Sequence, residues 1–300
     1  MDLIDKGILL DLIQNCRITY RELSVKHGIT ANAIRNRIQN LENDGIISDY
    51  IISFSTGMID CEFVYGVIET DGSQDDIGFV NLVGDGVGVI AAAAYTDAIY
   101  YFIAEYTNHQ DLLILGKYLR GLDGVQNLDI YTIISKQGEK MELSKFHRRI
   151  LRVLLDDPRM TIAGIAEKTR LTAKRVRKAL KELENSDAIR FSINWELGAA
   201  SDIPFILDIA TNDQNKTYQE IIEWFRENHG LAFWEGYCAA IEPKMFVLLT
   251  VDTLNEVNEI TRDVRKQSFA KTVIARVSTY HDFFPGIRYE KMMEIIGDDD

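Results

Sequence analysis

Residues 161–190 read TIAGIAEKTRLTAKRVRKALKELENSDAIR, and this stretch decides how the rest of the chain is read. Ile162, Ile165 and Ala166 form an apolar stripe at helical spacing. Val176, Leu180 and Leu183 form a second one at i, i+4, i+7. Between them Arg170-Leu171-Thr172 makes a corner, with Thr172 placed to cap the helix that follows. That helix turns Lys174, Arg175, Arg177, Lys178 and Lys181 away from its buried stripe. A short helix, a tight turn and a helix that offers positive charge to solvent is the layout of a helix-turn-helix that enters the major groove of double-stranded DNA. The alternative is a solvated basic face on an ordinary surface helix.

Working outward, the pattern recurs earlier. Shifted by 142 positions, residues 8–51 lie over 150–193 without a gap. Ile8, Leu9 and Leu12 match Ile150, Leu151 and Leu154, and Arg17 and Thr19 match Arg159 and Thr161. Lys26, Thr30, Ala31 and Arg35 match Lys168, Thr172, Ala173 and Arg177, and Leu41-Glu42-Asn43 matches Leu183-Glu184-Asn185. Agreement in apolar and capping positions together marks an internal duplication. The first copy reads as helices over 5–14, 20–26 and 31–43, followed by a β segment over 46–54 that is either a wing or a sheet strand. Thr30 caps its third helix, whose polar face holds Asn32, Arg35, Asn36 and Arg37. Asn and Arg make bidentate contacts to adenine and guanine edges. The first copy is therefore expected to contribute base readout and the second phosphate affinity, on an asymmetric operator.

A net charge of −13 is at odds with DNA binding until it is divided along the chain. Residues 143–195 carry 13 basic and 6 acidic side chains, while 1–54 carry 6 and 7. Residues 55–142 carry 4 and 14, and 196–300 carry 10 and 19. Positive charge sits in one short segment, as expected where phosphates are met. No apolar run approaches the roughly 20 residues that span a bilayer, and the start of the chain lacks the pattern of a signal peptide. Cys16, Cys61 and Cys238 are few and scattered, which suits reduced thiols in a cytoplasmic protein better than disulfides or a metal site.

The segments after each basic or polar module alternate strand and helix. Strands are expected over 63–69, 87–94, 98–106 and 124–134, with helices over 74–83 and 110–119. The second half repeats the order with strands over 204–210, 231–240, 245–251 and 272–280 and helices over 218–228 and 254–266. Each set is βαββαβ, a ferredoxin-like sandwich. The fold class is α+β, with two winged-type helix-turn-helix domains alternating with two ferredoxin-like sandwich domains. The expected divisions are 1–54, 55–140, 141–196 and 197–282, with a tail at 283–300. In that tail residues 288–296 form an amphipathic segment expected to pack on a sandwich, and Asp298–Asp300 are expected to be disordered.

Ile4-Asp5, Arg17-Ile18, Glu22-Leu23-Ser24, Arg37-Ile38 and the run from Leu41 to Ile47 resemble the N-terminal module of the Lrp/AsnC (leucine-responsive, feast/famine) regulators. Copy two keeps less of this pattern, with Ser186-Asp187-Ala188 in place of Asp44-Gly45-Ile46. In that family a βαββαβ domain follows the helix-turn-helix, pairs two subunits and can bind an amino acid. The resemblance thus implies a fused pseudo-dimer that binds DNA, responds to a small effector such as an amino acid, and forms homo-oligomers through its sandwiches. It places the effector near the turn between the two middle strands. There Tyr95 and Asp97 stand in copy one and Gly236 in copy two, with Gly124 before the last strand of copy one. An ammonium ligand needs a carboxylate and a carboxylate ligand needs backbone donors freed by glycine, and neither copy offers both. Sirohaem decarboxylases share this resemblance and act on a tetrapyrrole through His and Arg, so His229, His281 and Arg288 are the candidates for that reading. No nucleophile–base pair, phosphate loop or metal-ligand cluster is legible. Neither catalytic residues nor a cofactor are therefore expected.

Overall fold

The computed structural model describes residues 1–135, 138–196, 199, 203–212 and 216–297. The first quarter holds α1 (Leu3–Gln14), α2 (Tyr20–His27), α3 (Ala31–Asn43) and β1 (Ile47–Phe54). There follow β2 (Glu62–Thr70), α4 (Asp76–Gly84), β3 (Val89–Tyr95), β4 (Ile99–Tyr106), α5 (His109–Arg120) and β5 (Val125–Thr132). The second module has α6 (Lys145–Leu154), α7 (Ile162–Thr169), α8 (Ala173–Asn185) and β6 (Ile189–Trp195). The last segment runs β7 (Ile203–Thr211), α9 (Tyr218–His229), β8 (Phe233–Cys238), β9 (Lys244–Val251), α10 (Leu254–Arg265), β10 (Ala270–Phe283) and α11 (Gly286–Gly297). The shift of 142 found in the sequence carries the bounds of α2 and α3 onto those of α7 and α8. Asp298–Asp300, expected to be disordered, lie outside the described residues.

Four sequential domains become two compact units. One contains residues 1–60, 137–200 and 288–300, the other 61–136 and 201–287. Like therefore clusters with like: both helix-turn-helix modules fall in the first unit and both sandwiches in the second.

In the first unit each module closes a small core, with Ile8, Leu12, Leu23, Ile34 and Ile38 buried in one and Ile150, Leu154, Ile165, Val176 and Leu183 in the other. The strand left open between wing and sheet proves to be the joint between modules. β1 pairs antiparallel with β6, from Ile47↔Trp195 to Phe54↔Ile189. The Cys16 amide donates to the Phe191 carbonyl and the Ser192 hydroxyl to the Ile13 carbonyl, both at 2.8 Å. Arg17 Nε meets Glu184 at 2.9 Å, and its counterpart Arg159 donates to the Tyr50 hydroxyl at 2.9 Å, which in turn donates to Glu42 at 2.6 Å.

The segment at 288–296, expected to pack on a sandwich, belongs with the first unit. Arg288 donates to the Phe54 carbonyl at 2.9 Å and Arg152 to the Ile296 carbonyl at 2.7 Å, with Met292 and Ile296 buried. The apolar stripe was legible, but its acceptors are main-chain carbonyls that no side-chain pattern reveals.

The second unit is one eight-stranded sheet of order β5-β2-β4-β3-β10-β7-β9-β8. Each half has the ferredoxin-like order, and β10 belongs to both. Residues 270–277 of β10 pair with β7 and residues 278–283 with β3. This is why β10 runs past the expected end at 280. A bridge between Ile133 and Ala239 brings the far edges together. α4 and α5 cover one half over a core of Phe79, Val83, Phe102 and Leu119, and α9 and α10 cover the other over Phe205, Phe225, Val247 and Phe269. The inner faces meet through Tyr65, Tyr101, Ile206 and Phe246, the rings of Tyr65 and Phe246 stacking at 4.2 Å.

Candidate nucleic-acid interface

α8 starts where the sequence places it. The Thr172 hydroxyl accepts from the Arg175 amide at 3.4 Å, satisfying one of the donors left open at a helix start. Arg170 makes the corner at φ 52°, the left-handed conformation that Gly28 supplies in the first module at φ 68°. Val176, Ala179, Leu180 and Leu183 are buried, and Lys174, Arg175, Arg177, Lys178 and Lys181 are all exposed. The ion pair from Lys178 to Glu182, at 3.7 Å and open to water, does little to neutralise that face. Arg177 and Lys181 lie on the flank of α8 that lines a cleft of 660 Å³ with Arg17, Thr19 and Lys26 of the first module.

On the opposite flank α8 rests against the start of α6. The His147 Nε2 lies 2.9 Å from Glu182, and the hydrogen bond from His147 holds the Glu182 carboxyl below the usual carboxylate range. The Arg175 guanidinium lies 4.3 Å from the centroid of the Phe146 ring. Lys145 and Arg149 on α6 are exposed and extend the basic face. None of Lys145, Phe146, His147, Arg149 and Glu182 was singled out from the sequence. The signal was there: an exposed aromatic in KFHRR at the start of a capped helix.

The first module differs. Thr30 caps α3 through the Ala33 amide at 3.1 Å, and Asn32, Arg35 and Asn36 are exposed. Arg37 is not on that open face. It turns back onto Asp5 at 2.7 Å and Asp2 at 2.8 Å, which hold its guanidinium in the charged form. Its partners lie over 30 residues earlier, so spacing within the helix could not disclose them.

The effector candidates do not form one group. Asp97, exposed, and Ala98 take the left-handed conformation at φ 66° and 56°, and Gly124 does so at φ 79°. They share one end of the first sandwich, where the Asp71 amide donates to the Gly124 carbonyl at 2.9 Å and Gly72 faces the Ala98 methyl. Tyr95 points the other way, into the core, 5.0 Å from the Tyr101 ring, and burial raises its hydroxyl pKa. Gly236 stands within β8 against Ile222 and does not join them.

The sequence also missed a charged cluster between the inner faces. Asp208 is buried, with Lys244 at 3.1 Å and Arg276 at 3.8 Å, and Arg276 donates to the Tyr101 hydroxyl at 2.8 Å. Burial pulls the Lys244 ammonium down, but Asp208 and Tyr131 outweigh it and leave its pKa raised. Of the candidates for tetrapyrrole chemistry, His229 pairs with Asp263 at 3.1 Å, His281 sits on β10 opposite Ala93, and Arg288 belongs to the first unit. Among the described residues no group of His, Cys, Asp and Glu is set to hold a metal ion, and no helix is long and apolar enough to cross a membrane.

Two matches to the winged helix-turn-helix DNA-binding model, at residues 1–48 and 143–190, define a doubled winged helix-turn-helix protein. Over 126 residues the chain is 31% identical to the HTH-type transcriptional regulator LrpB of Bacillus subtilis, a match that takes in 39% of this chain and 85% of LrpB. The chain belongs to the Lrp/AsnC family of regulators, here as a tandem duplication. It is also 41% identical over 71 residues to an uncharacterised HTH-type transcriptional regulator of Pyrococcus abyssi, covering 24% of this chain and 45% of that relative; it thus spans less than half the length of that protein. Among solved structures, the siroheme decarboxylase NirDL superposes with a TM-score of 0.57 over 98% of both chains at 13% identity, a likeness of fold.

Proposed function

We propose that this chain is a sequence-specific DNA-binding transcriptional regulator in which one polypeptide does the work of a dimer. The observation that carries this reading is the exposure of all five cations on α8, the helix that reads the groove in such modules. The inner sandwich faces are joined within the chain, so the pairing of two halves is internal and further copies associate through outer surfaces. A small effector, an amino acid in this reading, is held at the end of the first sandwich near Asp97 and Gly124.

The test is DNA retardation by the full chain across a salt series. Each phosphate contact contributes about 0.9 to the slope of log affinity against log salt. Lys174→Ala with Lys178→Ala is expected to lower the slope by about 2 while the fold is kept. An unchanged slope removes α8 as the anchor.

A second reading is favoured by the end-to-end likeness to NirDL, a siroheme decarboxylase. It makes the chain a tetrapyrrole enzyme with His281 as its candidate group. A shift of the Soret band when an iron porphyrin is added, lost in His281→Ala, supports it; an unshifted band removes it.

A further inference from the structure

Arg37 in the first module and Arg175 in the second are held in opposite ways. In the first, Arg37 is tethered through Nη1, which donates to both the Asp2 and the Asp5 carboxylates. In the second, Arg175 is held by its face, on the Phe146 ring, 4.3 Å from the centroid. Among the described residues, Arg175 forms no ion pair or side-chain hydrogen bond, so its N–H fork stays open to an incoming acceptor. A guanidinium stacked on a ring keeps its orientation and its donors together, whereas a carboxylate clamp fixes the group and takes those donors.

Phe146 is placed for this role. It is 39% exposed, so its ring face is open to a side chain from α8. Its position is fixed from both sides: the Ser144 hydroxyl caps α6 through the His147 amide at 3.2 Å, and His147 is tied to Glu182 on α8 at 2.9 Å. The pair is specific to this copy. At the corresponding positions of the first module stand Ile4 and Ala33, with Asp5 and Asn40 in place of His147 and Glu182.

We infer that Arg175, oriented by Phe146, is the specificity-determining arginine of this protein and reads a guanine edge in the major groove. Arginine binds the O6 and N7 acceptors of guanine through two parallel N–H groups, which needs a planar fork held in orientation. Base readout by arginine is thus assigned to the second module as well, beside Asn32, Arg35 and Asn36, which stay exposed in the first. Phe146 is a positioning residue and touches no base. The inference rests on the DNA-binding reading above and names the residue that gives it sequence preference.

The experiment selects a randomised duplex library with the full chain, its Arg175→Ala, Arg175→Lys, Phe146→Ala and Phe146→Tyr variants. The wild type is expected to enrich a guanine that Arg175→Ala no longer enriches and Arg175→Lys enriches less. Phe146→Ala is expected to weaken that preference about 2- to 5-fold, the range of an exposed cation–π contact, with the salt slope unchanged. Phe146→Tyr is expected to restore it. A structural role for Phe146 moves affinity for all duplexes equally and overturns the inference, as does a guanine preference that survives Arg175→Ala. Should the wild type bind no duplex at any salt, the DNA reading itself falls, which is a different outcome from a bound but unselective Phe146→Ala protein.

Discussion

At the residue scale, burial sets the chemistry of the thiols. Cys16, Cys61 and Cys238 are all buried. Burial pushes the Cys16 thiol from 9.0 up to about 12, against the pull of Arg159 and Arg17, and the Cys238 thiol up to about 11. The thiolate is the reactive form, so Cys16 and Cys238 are inert in the folded chain, and burial shields Cys61 from reagents. The native protein at pH 8 is expected to leave a thiol reagent unconsumed and to react fully once unfolded. The raised values also fix a pH dependence. Above pH 9 the unfolded chain gives up thiol protons that the native chain retains, so the stabilisation is complete below about 9 and declines toward 12. Rapid labelling of the native protein at pH 8 overturns this account, because it shows that solvent reaches the thiols.

At the element scale, helices were the legible part. Caps and apolar stripes are local, so α2 and α3 could be bounded from the sequence to within a residue, and the shift of 142 carries those bounds to α7 and α8. The pairing of β1 with β6 could not, since its partner lies far along the chain and either edge satisfies the same alternation. The exposed cations of α8 were legible for the same local reason as its stripe. The restraint on Arg37 was not, because it depends on how α1 approaches α3. That restraint can be released by substitutions that keep the cap, since Asn caps a helix as well as Asp does. Asp2→Asn with Asp5→Asn is expected to free Arg37 and to steepen the salt slope of DNA binding by up to about 1. A slope equal to that of the wild type in a salt titration shows that α3 stays off the phosphates even when its arginine is unrestrained.

At the scale of the whole molecule, the duplication gives two halves with unlike contents. Asp208, Lys244 and Arg276 come from the second sandwich and the Tyr101 hydroxyl from the first, so the join between inner faces is charged on one side and phenolic on the other. Removing one member of a buried ion pair leaves uncompensated charge and typically costs several kcal/mol. Asp208→Ala is expected to destabilise the sandwich unit by about 3 kcal/mol, read as a lower calorimetric midpoint. A loss below about 1 kcal/mol would mean that water already hydrates the cluster. The dual role of β10 bears on biosynthesis. The strand shared by both halves of the sheet follows its two partners in the chain, so during translation β3 and β7 each present an unpaired edge until it emerges. A chain cut short before Ala270 retains both edges, and such bare strands recruit other chains. For this fold, premature termination produces a sticky fragment rather than a smaller working protein.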